Sequence, residues 1–523
     1  MQKRWTAGLV ASAAAAAAMV VSPAAQATNA FEVPDTGVEQ LGRGAAWVAR
    51  AAGPLAAFMN PAAMATQQSG VSIDVNLIWQ KTCLSTFDAT GAPTKAAFSG
   101  NGYPGTYPAE TCNTNSGTPF PNPALAAVWR ASPRLAFGFS LRGPNSPGKI
   151  TYPDVVTSRE GRTMPAPTRY MLLEQSGVVL LPTLSAGYSI TPDLQVGAGF
   201  IWGIASMQFS NISQALGSNQ QSDDWSTDVK ATLKAKDLLF PGAIVAALYE
   251  PSPLIDVGVW YTISDDIKAK GDAYIEGTYY NDPGTAKDPS RYNCGDGKQS
   301  ACTQTPADSV SVTIRQPMQA RFGVRFHQPR PVSSADDRAA PAYPFRDPIA
   351  HDVFDIEADF TWSHNSVFEN LEIRFPDNPP VNIDWLAGGI APPNADVPHH
   401  FRDVFGLRLG ADYVVIPSKL AVRAGGFFES RGQDDQYLNI DFVPAARFAA
   451  TAGATFRVGD FDLMVAGSHI FPSKLDNGGH GALRGLAGSQ ATSPVVNRTQ
   501  FFINGGSVTQ RATTLAIGST WHF

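Results

Sequence analysis

The last residues of the chain, Arg511–Phe523, alternate between two kinds of side chain. One set is largely apolar and ends in aromatic residues: Thr513, Leu515, Ile517, Ser519, Trp521 and Phe523. The other set is small or polar: Ala512, Thr514, Ala516, Gly518, Thr520 and His522. Because successive residues of a β-strand point to opposite faces, this pattern predicts a strand with one apolar face. Such a strand suits the wall of a membrane barrel or the edge of a soluble sandwich.

Composition favours the membrane barrel. Only 16% of the 523 residues are charged, yet the mean hydropathy is -0.11. That value is too low for a bundle of membrane helices, and it fits strands in which every second residue faces lipid. Gly and Pro number 47 and 40, as many turns and loops require. A formal net charge of -6 argues against a nucleic-acid partner.

A series of candidate strands continues the same alternation through the chain. They lie at about 70–80, 122–131, 135–143, 171–190, 194–210, 226–249, 254–277, 309–327, 351–365, 402–415, 419–430, 443–458, 461–472 and 509–523. Mostly tight turns alternate with long connections, which is typical of bacterial barrels with an even number of strands. The chain from 70 to 523 is therefore predicted to be all-β, an antiparallel transmembrane barrel of fourteen strands in the outer membrane.

The first 27 residues are interpreted as an export signal. Lys3 and Arg4 precede an apolar run at 7–21, and Ala25-Gln26-Ala27 offers a cleavage site with small residues. Export leads to an oxidising compartment, where disulfides persist.

Four cysteines lie in two of the long connections, as the pairs Cys83 with Cys112 and Cys294 with Cys302. Four cysteines allow three pairings, and bonds within these two local pairs are the simplest of them. Zinc binding is the alternative, although no His flanks either pair at ligand spacing.

The segment between the signal and the first strand, 28–69, contains two short motifs, Gly42-Arg43-Gly44-Ala45 and Asn60-Pro61-Ala62-Ala63-Met64-Ala65. Their position resembles the N-terminal hatch of the FadL-type outer-membrane long-chain fatty acid transporters. A second resemblance to this family lies in the run Phe401-Arg402-Asp403, Leu407–Tyr413 and Val422–Gly425. Phe523 also resembles the terminal residue of bacterial outer-membrane proteins.

The family resemblance implies a plug folded into a 14-stranded barrel whose third strand is kinked to open the wall sideways. Hatch residues expected near the ligand are Phe31, Phe58, Met59, Asn60, Pro61 and Ala62. The lateral opening is expected at Gly143-Pro144-Asn145, because Pro lacks a ladder donor and Gly permits a bulge. An amide such as that of Asn60 can satisfy backbone groups freed by such a kink. Alternatively, Gly143 and Pro144 simply begin the outer loop.

The strand alternation directs apolar and charged side chains into the lumen. Ile201, Trp260 and Phe427 are out of place in a water-filled porin, and they either line an apolar ligand pocket or only pack the hatch against the wall. Inward charges of both signs predict cross-strand ion pairs. The alternative is that Arg408 or Arg423 has no acidic partner in the wall and instead binds a ligand carboxylate.

No enzyme motif occurs in the sequence, and His399-His400, in a Pro-rich stretch, is expected to be solvated. We therefore expect a monomer, without cofactor or metal, that passively takes up fatty acids or other hydrophobic molecules. Capture would occur in the lumen, and release would occur through a lateral opening gated by the hatch. A general porin and a surface adhesin or receptor are the alternatives.

The sequence predicts where the protein is found in a cell. Because both an export signal and a closing strand are present, the protein should fractionate with the outer membrane. Its unboiled form should migrate differently from its boiled form on a denaturing gel, as closed barrels do. Recovery as a soluble periplasmic species would contradict the barrel.

Overall fold

The computed structural model describes residues 37–96, 105–143, 148–214, 228–276, 302–305, 307–331, 343, 345–375, 394–483 and 502–523. Antiparallel β-sheet dominates these ranges. The α-helices are α1 (Val38–Gly42), α2 (Ala56–Met59) and α3 (Pro348–His351), and 3-10 turns occur at Pro61–Thr66, Asn365–Val367 and Asp435–Tyr437. None of the described helices is long and apolar enough to cross a membrane.

The strands follow one another closely along the chain. They are β1 (Gly70–Thr86), β2 (Lys95–Ala96), β3 (Gly105–Thr106), β4 (Thr111–Cys112), β5 (Phe120–Ser132), β6 (Leu135–Arg142), β7 (Gly148–Thr151), β8 (Val155–Thr157), β9 (Thr163–Pro165), β10 (Glu174–Leu180), β11 (Thr183–Thr191), β12 (Leu194–Gln214), β13 (Asp228–Ser252), β14 (Ile255–Ser264), β15 (Ile267–Glu276), β16 (Cys302–Gln304), β17 (Val310–Ile314), β18 (Gln319–Pro329), β19 (Asp352–Ser363), β20 (Asn370–Arg374), β21 (Ala395–Pro398), β22 (Val404–Ile416), β23 (Leu420–Glu429), β24 (Arg447–Val458), β25 (Phe461–Asp476) and β26 (Gly506–His522).

Within the described ranges, fourteen of these strands form a closed antiparallel ring, so the predicted barrel is confirmed. Around the ring they are β1, β5, β6, β11, β12, β13, β14, β18, β19, β22, β23, β24, β25 and β26. The closing ladder joins β1 to β26 along the whole of β1, from Gly70↔His522 to Thr86↔Gly506. Most of the long connections lie at one end of the barrel, which we call the outer end, whereas the connection 330–351 between β18 and β19 lies at the other end.

The barrel wall is apolar on its outside. In β26, Leu515 and Ile517 are 44% and 56% exposed, whereas Thr514 and Ala516 are buried. Ring closure gives each wall strand a partner on both sides within the described residues, which is how backbone groups are satisfied in a bilayer. A closed barrel with apolar side chains outward is the β architecture that spans a bilayer.

Three of the predicted strands are interrupted in the structure. The segment 171–190 forms β10 and β11, 254–277 forms β14 and β15, and 309–327 forms β17 and β18. Pro182 and Pro317 lie in two of these breaks, and a proline lacks the N–H that a central ladder requires. Beyond the breaks the sheet continues as an extension at the outer end, in which β13 pairs with β15 and β15 with β17.

Cys83 on β1 and Cys112 on β4 form a disulfide, which confirms this predicted pair. The two residues are direct cross-strand partners, so the bond fastens the short β4 to the wall. Glu110 lies beside them, but disulfide sulfurs offer no thiolate to a metal. Cys294 lies outside the described residues, so its bond with Cys302 stays a prediction.

The disulfide can be tested on intact cells. Cys83 and Cys112 should not react with a membrane-impermeant thiol reagent unless a reductant is added first, because neither has a free thiol. Labelling would be located by mass spectrometry of peptides. Modification of either residue without reductant would show that this bond is missing from the exported protein.

Candidate transport site

Residues 37–69, called here the inner segment, lie inside the barrel. The 3-10 turn Pro61–Thr66 packs on β11 and β12, and α1 packs on β24 and β25, so the segment reaches across the lumen. Every residue from Ala56 to Gln67 is buried. Glycines let its backbone approach the wall: a side chain at Gly187 would collide with the carbonyl of Pro61.

Buried ion pairs attach the inner segment to the wall. Arg43 contacts Asp355 at 2.8 Å, Asp412 at 2.5 Å and Glu357 at 3.3 Å. Arg50 contacts the same two aspartates, Asp355 and Asp412. Removing one partner from a buried pair generally costs about 3–5 kcal/mol, because the remaining charge is left without compensation. These contacts therefore hold the segment against β19 and β22.

Backbone groups of the inner segment add to this attachment. Asp359 accepts hydrogen bonds from the N–H groups of Trp47 and Val48, at 2.9 and 3.1 Å. Glu357 accepts one from the N–H of Ala49 at 2.7 Å. Asp355, Glu357 and Asp359 share the inward face of β19 because they are spaced two residues apart. Their carboxylates therefore meet one continuous stretch of the segment.

Arg408 and Arg423 are both engaged with acidic groups of the wall. Arg408 donates to Glu429 at 2.6 Å, and Arg447 on the next strand also binds that carboxylate. Arg423 lies 3.3 Å from Asp412. These contacts favour the predicted cross-strand ion pairs over a role of either arginine in holding a ligand carboxylate.

An apolar cluster fills the lumen on the other side of the inner segment. Phe58 and Met59 from α2 pack in it with Ile201 and Trp260 from the wall. The indole N–H of Trp260 donates to the carbonyl of Phe58 at 2.7 Å, and the two rings lie 5.8 Å apart. Phe427 belongs to a separate small cluster. Phe31 lies outside the described residues.

The described hydrogen bonds of the Asn60 side chain lie within the inner segment and reach β13. Its side-chain oxygen accepts a hydrogen bond from the N–H of Ala62 at 3.2 Å and caps the 3-10 turn. Its amide donates to the carbonyl of Val48 at 2.7 Å and lies 3.4 Å from the carbonyl of Ala247 on β13. Pro144 and Asn145, at the expected kink, lie outside the described residues, so the link from this amide to the third strand stays a prediction.

The pairing between the third and fourth wall strands changes register at one place, which we call the seam. Among the described residues, the pairing of β6 with β11 stops at Ser140↔Thr183, and that of β7 with β10 resumes at Gly148↔Gly177. Between these points the N–H of Leu181 donates to the carbonyl of Arg142 at 2.8 Å. Gly143, at the end of β6, is buried, while Pro144 and Asn145 lie outside the described residues.

The apolar cluster reaches the seam. Val179 on β10 and Leu181, between β10 and β11, belong to the same cluster as Phe58. Across the seam, the guanidinium of Arg142 lies 4.1 Å from the centre of the Phe58 ring and 3.3 Å from the sulfur of Met59. An apolar surface thus extends from the inner segment to the seam, where Arg142 contacts it.

The expectation that His399 is solvated is wrong. Its ring is fully buried, with Nδ1 2.9 Å from the carbonyl of Val397 and Nε2 2.9 Å from a carboxylate oxygen of Asp441. Phe368 and Phe401 pack against it. Asp441 comes from the connection between β23 and β24, which folds over the lumen. His400 is exposed, as expected.

The fold and its contents define a class of protein: a transmembrane β-barrel with its lumen occupied by the segment that precedes the first strand. No family model matches the chain, and no curated protein sequence matches it. The crystal structure of a Pseudomonas aeruginosa FadL homologue aligns with a TM-score of 0.65 at 17% identity, over 94% of this chain and 99% of that one.

Two transporters of known structure align similarly. The Ralstonia pickettii toluene transporter TbuX gives a TM-score of 0.55 at 16% identity, covering 94% of this chain and all (100%) of that one. The Pseudomonas putida toluene transporter TodX gives 0.58 at 12% identity, covering 95% and 100%. The chain therefore has the FadL-type barrel fold.

The ion pairs of Arg43 can be tested by an Arg43→Gln variant. We expect the variant to lose about 3–5 kcal/mol of the free energy that holds the inner segment on the wall. The side chains of Glu357 and Asp412 would stay buried with less positive charge beside them. Hydrogen exchange should then become faster across 37–69 than in the wild type, while exchange in β26 stays slow. Arg431→Gln is the matched control, because it breaks a half-buried pair with Asp435 near the outer end. Unchanged exchange in Arg43→Gln would show that these pairs do not hold the segment.

Proposed function

We propose that the protein is an outer-membrane transporter for the passive uptake of hydrophobic small molecules. The observation that carries the proposal is the apolar surface that runs from Phe58 and Met59 to the seam. A polar solute would gain nothing from such a lining, whereas an acyl chain or an aromatic hydrocarbon would be removed from water there. The three aligned structures, a FadL homologue and two toluene transporters, support this substrate class.

In this proposal the inner segment is the hatch. Export removes residues 1–27, the hatch comprises 28–69, and the barrel comprises 70–523 and acts as a monomer. Ionic attachment holds the hatch on β19 and β22, so the axial path is filled by protein rather than by water. A general porin would require an open aqueous path, and the buried inner segment argues against one.

We further propose that the substrate leaves sideways through the seam. An apolar solute gains roughly 25 cal/mol for each Å² removed from water, so an exit into the bilayer is favoured over an exit into the periplasm. Leu181 and Arg142 flank the seam, and the apolar cluster delivers the solute to them. Small movements of the hatch at Phe58 and Met59 would open or close this route. Fatty acids and hydrocarbons both fit the lining.

A bulky side chain at the seam tests the lateral exit. Leu181→Trp should obstruct the seam from inside and reduce uptake of a labelled fatty acid or toluene about tenfold, which requires about 1.4 kcal/mol of added barrier. Leu184→Trp is the matched control, because this residue lies close by on β11 and is 63% exposed on the lipid side.

Both variants should be compared at equal surface amounts, with folding checked by heat-modifiable migration. Wild-type uptake in a well-folded Leu181→Trp variant would reject lateral exit and favour passage past the hatch into the periplasm. Loss of uptake in both variants would show that the effect does not depend on the seam.

A further inference from the structure

Two basic residues face each other on the outside of the barrel, where its closing strands meet. Lys81 on β1 and Arg511 on β26 are direct cross-strand partners. Their side chains point outward, because they share a face with Trp79 and Leu515. Like charges at directly opposite positions destabilise a sheet. This arrangement therefore needs a compensating anion.

The protein does not supply that anion. Within the described part of the chain, neither Lys81 nor Arg511 forms an ion pair or a side-chain hydrogen bond. Lys474, on the other neighbour of β26, adds a third cation, and its own ion pair is with Asp476 at 2.6 Å. The other acidic group nearby, Glu110, lies against the sulfur of Cys112. None of the described acidic groups compensates this pair, so we look for the anion outside the molecule.

The height of this basic pair on the wall indicates where the anion comes from. Below Arg511, the outward positions of β26 are Thr513 and then Leu515 and Ile517, of which the last two are apolar and exposed. Two residues of a strand span about 7 Å, so Arg511 lies about 14 Å along the strand from Leu515, on the outer-end side of the apolar belt. Its partner Lys81 lies one step above Trp79. At this height in a bilayer the hydrocarbon ends and the lipid head groups begin.

The same arrangement recurs on the opposite side of the ring. Lys236 on β13 is the direct partner of Lys270 on β15, and both are exposed. Leu238, two residues below Lys236, is 69% exposed. Acidic residues are more numerous here. Asp265 forms its ion pair with Lys268 at 3.1 Å, and Asp272, two residues from Lys270 on the same face, accepts a hydrogen bond from the N–H of Asp308 at 2.9 Å. Among the described residues, no ion-pair partner contacts Lys236 or Lys270.

We propose that these two basic pairs bind phosphate groups of lipids in the outer leaflet. Phosphate is the head-group anion that Lys and Arg bind with charge-assisted hydrogen bonds, and the guanidinium of Arg511 can donate two in parallel. Acyl chains of the same lipid would lie against Trp79 and Leu515. A phosphorylated glycolipid supplies both features. The inference rests on membrane insertion at the proposed location and is independent of the transported molecule.

The wild-type protein, at full length in detergent, would be compared with a variant that carries four substitutions, Lys81→Gln/Arg511→Gln/Lys236→Gln/Lys270→Gln. We call it the fourfold variant. The probes are bisphosphorylated lipid A, the same lipid with both phosphates removed, and inorganic phosphate. The matched control is Lys95→Gln/Lys419→Gln, which removes exposed lysines away from the belt. Lipid binding is measured by native mass spectrometry, and stability by heat-modifiable migration.

We expect the fourfold variant to bind bisphosphorylated lipid A roughly 10- to 30-fold more weakly than the wild type. Each basic residue at the membrane surface contributes a factor of about ten or less to the affinity for an anionic lipid. Without lipid, the variant should be as stable as the wild type or more so, since like-charge repulsion is relieved. Only the wild type and the control should be stabilised by the phosphorylated lipid, and inorganic phosphate should stabilise none of them.

Three results would overturn the proposal. The first is equal binding of lipid A by the wild type and the fourfold variant. The second is equal binding of the dephosphorylated lipid by the wild type, which would assign the affinity to the acyl chains alone. The third is a loss of stability of the variant in the absence of lipid, which would give the basic pairs a structural role. None of these readouts involves uptake, so they are separate from the test of transport.

Discussion

The structure depends on how buried carboxylates find partners inside a closed wall. Three acidic residues on β19, Asp355, Glu357 and Asp359, point into a lumen from which the inner segment excludes solvent. A buried carboxylate is tolerated only with a nearby cation or several N–H donors. Arg43 and the N–H groups of residues 47–50 provide both. The acidic groups of the wall therefore need the inner segment, and the arginines and free N–H groups of the inner segment need the wall.

This polar attachment leaves the opposite side of the inner segment free for apolar contacts. The ionic residues lie on β19 and β22, whereas α2 and the 3-10 turn face β6, β11 and β12. Polar and apolar functions are thus divided between two sides of one short segment. Its apolar side can adjust next to the seam more readily than its ionic side, because most contacts of the apolar cluster are non-directional. A transporter needs this combination of anchoring and local freedom.

Features that depend on neighbouring residues could be predicted from the sequence, and features that depend on distant ones could not. The alternation that defines the wall strands is local, so their number and apolar face were predictable. In the sequence, an interrupted strand such as 254–277 looks like one continuous strand, because the alternation of apolar and polar residues resumes after the break. Arg43 and its partner Glu357 are 314 positions apart, and nothing local connects them. Burial of His399 depends on Asp441 in the same way.

The closing ladder between β1 and β26 has a consequence for the biogenesis of the protein. Among the fourteen wall strands, β26 comes last in chain order and completes the ring with β1, whereas the segment inside the ring precedes β1. If the ring closed first, the inner segment would have to thread into a finished cylinder and carry charged side chains past an apolar lining. Docking on β19 and β22 before β26 meets β1 avoids that step. The topology thus favours an assembly order in which the barrel is wrapped around its contents, with the insertion machinery releasing the chain last at this one junction.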